Sequence, residues 1–190
     1  MIIININCSN YAYTQSNDNI FIGREIILEK DNAKIPSTLA GDLQTSVYFA
    51  KLGFQYSKQG DYEAARQLFQ MAIRLQPNLT VAHAGLGFVF LQQNAFKKAI
   101  VAYQQAIQIN PDSIQVYKDL GLAYIKYEQY DAAIQTYRRV IQLSPNSADL
   151  YRALGSTYMI LGGFDEAKVV YQEALKLEPN MAEVHDNLGT

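Results

Sequence analysis

From Ser46 onward apolar residues recur three and four apart, the spacing that gathers them on one face of an α-helix. SVYFAKLGFQYSKQ is the first such stretch; Gly60-Asp61 interrupts it, and YEAARQLFQMAIRL restores it. The pair returns three more times, interrupted at Asn94-Ala95, Glu128-Gln129 and Gly162-Gly163. Each second stretch ends two residues before a proline, which lacks the amide hydrogen a continuing helix needs. Residues 46–181 are therefore predicted to form eight helices in antiparallel pairs.

Two sets of marker residues keep this pattern in phase. Pro77, Pro111, Pro145 and Pro179 are spaced 34 residues apart, and so are Gly53, Gly87, Gly121, Gly155 and Gly189, each directly after a leucine. A glycine inside a helix costs about 1 kcal/mol relative to alanine, so a contact must offset it. Close crossing of helices is the expected contact. Ala65, Ala99, Ala133 and Ala167 are expected to supply the small opposing surface, with Phe69, Tyr103, Tyr137 and Tyr171 filling the wider gaps.

Leu-Gly, an aromatic, Tyr, Ala, Phe or Tyr, Ala and Pro at a 34-residue period resemble the tetratricopeptide repeat. The units fall at 46–79, 80–113, 114–147 and 148–181, with a partial fifth unit or capping helix at 182–190, inside an array spanning 42–190. The resemblance implies an all-α, right-handed superhelical solenoid of antiparallel helix pairs. Departures are few: His83 and His185 stand where the family prefers an aromatic, and Val140 where it prefers alanine. All three are expected to loosen packing locally.

Residues 1–41 share no period with the array. The first 18 give no clear helix or strand and are expected to be mobile. IFIGREIILE at 20–29 is apolar enough to need a partner, fits a short helix or a strand, and is expected to dock on the array as a cap or a regulatory segment; Pro36 separates it from the repeats.

Composition narrows the function. Basic and acidic residues balance from Ser46 onward, so a nucleic-acid binder's electrostatic footprint is missing. Cys8 is the single cysteine, which allows no internal disulfide and suits a reducing compartment; no stretch has the length of a membrane span or the form of a secretory signal. The expected location is cytoplasmic or its organellar equivalent. His83 and His185 are three repeats apart with no ligand at metal spacing, and are expected to be packing residues. No catalytic set, phosphate loop or cofactor motif is present in the sequence, so neither an enzyme nor a metal or cofactor site is expected.

The resemblance also implies a concave groove lined by the first helices, at the second, fifth, ninth, twelfth and thirteenth places of each unit. Those places hold Val47, Ala50, Phe54, Ser57 and Lys58, then Val81, Ala84, Phe88, Leu91 and Gln92. They continue with Gln115, Lys118, Leu122, Ile125 and Lys126, and with Asp149, Arg152, Ser156, Met159 and Ile160. The first half is apolar and the second carries three basic residues. Ala50, Phe54, Gly85, Gln115 and Asp119 stand where chaperone-binding members grip a C-terminal carboxylate, and none can make those contacts. The sequence thus points to a scaffold or assembly factor holding a partner peptide or helix in the groove. Two alternatives stay open: a substrate-recruiting arm of a larger enzyme such as a glycosyltransferase, and a self-associating structural array.

Overall fold

The computed structural model describes residues 13–16, 19–22, 27–29 and 43–189. The chain divides into two compact units, residues 1–41 and 42–190.

In the first unit, β1 (Tyr13–Ser16), β2 (Asn19–Ile22) and β3 (Ile27–Glu29) form an antiparallel sheet in that order. Tyr13 pairs with Ile22 and Ser16 with Asn19 in one ladder; Asn19 pairs with Glu29 and Phe21 with Ile27 in the other. The stretch 20–29 thus supplies strands rather than a helix, and β1 lies where the sequence shows no clear element. A four-residue strand is too short to display a period of its own; it is specified by the neighbour it pairs with. Cys8, Pro36 and the docking contact expected for residues 20–29 lie outside the described residues.

The second unit is all-α. Its helices are α1 (Leu43–Lys58), α2 (Tyr62–Leu75), α3 (Thr80–Gln92), α4 (Phe96–Ile109), α5 (Ile114–Lys126), α6 (Tyr130–Leu143), α7 (Ala148–Leu161), α8 (Phe164–Leu177) and α9 (Ala182–Leu188). Each packs against the next, and α1 also meets α3 as α3 meets α5, so the first helices of successive units line one side of a solenoid.

The turns inside the pairs share one geometry. Gly60, Asn94, Glu128 and Gly162 have φ of 81°, 58°, 60° and 85°, the left-handed conformation that reverses the chain after a helix. The following amide reaches back five residues in every case: Asp61 to the Tyr56 carbonyl, Ala95 to Phe90, Gln129 to Tyr124 and Gly163 to Tyr158. These bonds close the helix end on carbonyls of its last turn.

The repeating glycines have a different partner from the expected one. A β-carbon on Gly53, Gly87, Gly121 or Gly155 would lie 2.8, 2.6, 2.5 or 2.5 Å from the ring of Phe69, Tyr103, Tyr137 or Tyr171. Each first helix therefore gives up a side chain so that the aromatic ring of its own second helix can lie against its backbone. The alanines 65, 99, 133 and 167 are fully buried beside these rings. Val140 is also fully buried, in one core cluster with Tyr137, Leu150, Leu154 and Tyr171. His83 and His185 bring hydrogen bonds in place of an aromatic face: their Nε2 atoms lie 2.8 Å from the Pro77 and Pro179 carbonyl oxygens, each six residues back.

Candidate functional site

One side chain per unit sits at the ninth place, on the face where the first helices adjoin. Phe54, Phe88 and Leu122 are 38, 37 and 41% exposed, an unusual state for three large apolar residues in one row. Phe54 is held from below by the buried Phe69, edge to face at 4.9 Å between centroids. Val81 is 45% exposed beside this row, and Val47, Ala84, Leu91, Ile125 and Met159 are half-buried along it. Ala50 and Ser57 are buried; the Ser57 hydroxyl donates to the Gly53 carbonyl at 2.8 Å, so both belong to the wall beneath the row.

Past Leu122 the surface becomes charged. Asp149 lies 3.9 Å from Lys118 and 3.5 Å from Arg152, and Arg152 reaches Glu183 on α9 at 2.9 Å. Two of the three basic residues expected to meet an acidic ligand are thus committed to neighbouring carboxylates, while Lys126 is exposed. Partly exposed pairs of this kind contribute little to stability and can be exchanged for a ligand's charge.

Asp119 stands one place beyond Lys118 and is half-buried. Burial raises its carboxyl above the usual aspartate range, against the opposing pull of the amide donated by Gln115 at 2.9 Å and of the Lys118 ammonium. Its charge in turn adds to burial in raising the hydroxyls of Tyr103 and of Tyr137, the latter to about 12. The Tyr103 hydroxyl is buried without a hydrogen-bond partner, whereas that of Tyr171 meets Ser156 and Asn187, both at 3.0 Å. A 34-residue step carries Asn187 onto Ala153, Asp119 and Gly85, so this sixth place decides what the ring of the preceding unit meets. It holds a different residue type in each unit, so no period in the sequence marks it.

Among the described residues, no cluster of three or more His, Cys, Asp or Glu could hold a metal, and no helix is long and apolar enough to cross a membrane. The arrangement offers an apolar row, a charged continuation and a half-buried carboxylate between them.

The comparisons agree with this fold. Among solved structures the chain is similar to MamA at 23% identity with a TM-score of 0.70, covering 77% of this chain and 80% of that one. A second MamA crystal structure gives 28% identity and a TM-score of 0.68, covering 77% and 85%. A chain in the APC/C hetero-tetramer Cut9–Hcn1 gives 26% identity and a TM-score of 0.67 over 76% of this chain and 29% of that one. No curated protein sequence matches. The tetratricopeptide repeat family model matches residues 56–120, 90–155 and 124–188, which together span more than half of the sequence. With repeat spacing, helix pairing and family model in agreement, the chain belongs to the tetratricopeptide repeat family.

Proposed function

We propose that this protein is a scaffold or assembly factor that holds a segment of a protein partner, extended or helical, along the row Phe54, Phe88 and Leu122, in the cytoplasm or its organellar equivalent. The observation that carries the proposal is the exposure of these three side chains at one place on three successive first helices. A folded protein gains roughly 25 cal/mol for each Å² of apolar surface taken from water, and this row leaves that gain to a ligand. Val81 and Leu91 widen the row, and Lys126 with the exchangeable Lys118 and Arg152 would meet an acidic group at its far end. The similarity to a chain in a hetero-tetrameric assembly supports a role in holding proteins together.

The test is photo-crosslinking in the native host with p-benzoylphenylalanine at position 122 and, as a control, at position 135 on the second helix of the same unit. The proposal expects a discrete crosslinked partner from position 122. The same partner captured from position 135 and none from 122 would place binding on another face.

A further inference from the structure

A second surface, away from the groove row, lies where the second unit meets the start of the third. Leu86 and Phe90 on α3, Phe96, Val101 and Ala102 on α4, and Tyr127 after α5 line a cleft of about 650 Å³. Phe90 follows Phe88 by two residues, about 200° round the helix, so the cleft opens on a different face from the row.

The other units act as internal controls. Lys97 stands where units one, three and four carry Glu63, Asp131 and Asp165, and Lys98 where they carry Ala64, Ala132 and Glu166. Both lysines fall in the first turn of α4, which has no acidic residue and no side-chain cap. The helix dipole disfavours cations there. Among the described residues neither lysine is ion-paired; Lys98 Nζ lies 5.8 Å from the Phe90 ring centroid, at the edge of the cleft.

The apolar lining is shared in part with unit four, which carries Phe164 and Val169 at the places of Phe96 and Val101, and differs at Phe90. At the place of Phe90, the third and fourth units carry Tyr124 and Tyr158, whose hydroxyls accept from Gln104 and Arg138 of the preceding unit. Phe90 has no hydroxyl and makes no such tie. Val101, 49% exposed, stands where unit three has Gln135 and unit four the still more exposed Val169. Packing of the solenoid explains neither the untied Phe90 ring nor the reversed charge beside it.

We propose that this cleft is a second docking site, for a partner segment in which carboxylates flank large apolar side chains: the apolar groups fill the space between Phe90, Val101 and Tyr127, and the carboxylates meet Lys97 and Lys98. Charge complementarity selects this occupant, since the two ammonium groups and the amino end of α4 all favour an anion.

The experiment follows amide resonances of the full ¹⁵N-labelled chain during titration with a blocked synthetic peptide alternating glutamate pairs with leucine and phenylalanine. Saturable shifts are expected at residues 95–98, 101, 105 and 127, with at least tenfold weaker binding of a peptide carrying lysine for glutamate. Lys97→Asp with Lys98→Ala gives unit two the residues of unit three; it should hold or raise the melting temperature while lowering affinity at least tenfold. Val101→Gln, made separately, should lower affinity with both lysines in place. The proposal is overturned by equal affinity of the two peptides, by unchanged affinity of these variants, by shifts confined to residues 81, 84 and 88, or by binding of phosphatidylserine vesicles in place of the peptide. The variants leave Phe88 and Leu122 in place, so the cleft and the groove can fail independently.

Discussion

A β-carbon on Gly85 would lie 2.3 Å from Cε1 of Phe69, closer than the 2.8 Å it would reach from Gly53 in that ring's own unit. Phe69 is therefore clasped by glycines of two successive first helices. Gly85→Ala should destabilise the protein by about 1–3 kcal/mol, as overpacking does. The companion variant Phe69→Leu should lose its own packing energy but make Gly85→Ala nearly neutral. Urea unfolding of the two single variants and the double variant checks this; additive costs would show that the clasp is not the reason for the glycine.

The tyrosine hydroxyls divide by their partners. Tyr171→Phe removes contacts to Ser156 and Asn187 and should cost about 1 kcal/mol, whereas Tyr103→Phe removes a buried hydroxyl that has no partner and should cost nothing or stabilise. Chemical denaturation of both variants under the same conditions gives the comparison. Equal losses would contradict it.

Glu128 holds φ of 60° where units one and four use glycine and unit two asparagine. A residue with a β-carbon pays about 1–2 kcal/mol in this conformation, while glycine adds unfolded-state entropy. Glu128→Gly should therefore stabilise by under about 1 kcal/mol, read as a rise in melting temperature with an unchanged helical spectrum.

Asp119 has a raised folded-state pKa through burial, so its ionised form is disfavoured in the native protein. Its contribution is most favourable below the unfolded aspartate value, about 3.9, and is lost as pH rises through the higher folded value. Asp119→Asn keeps an oxygen for Gln115 and should be more stable than wild type at neutral pH, with the difference closing as the solution is acidified. A difference independent of pH would remove burial of the charge as its cause.

The parts of the fold legible in the sequence are those repeated in phase. Pro77 and its successors mark unit ends, and Gly60-Asp61 and its counterparts mark the turns that the structure places at Gly60, Asn94, Glu128 and Gly162. Phe54, Phe88 and Leu122 are among the groove places read from the repeat, but the sequence does not set them apart as a row, since the fourth unit carries Ser156 at the same place and only the structure shows how far each is exposed. Gly85, Asp119 and Asn187 share a place but not a chemistry, so the close approach to Phe69, the charge felt by Tyr103 and the hydrogen bond to Tyr171 emerge only from packing. Lys97 and Lys98 look like ordinary surface charge until the helix start and the bare Phe90 ring are seen beside them.

The most direct measurement is the dissociation constant of the partner segment captured from position 122, by calorimetry, for wild type, Phe88→Ala and Leu122→Ala. The Phe88 ring is 37% exposed, so its removal should leave the melting temperature close to that of wild type. The account predicts that Phe88→Ala weakens binding by about 2 kcal/mol, roughly thirtyfold, as loss of an aromatic anchor does. Leu122→Ala should weaken it in the same direction. Wild-type affinity in both variants, with melting temperatures unchanged, would contradict the assignment of this row as the binding surface.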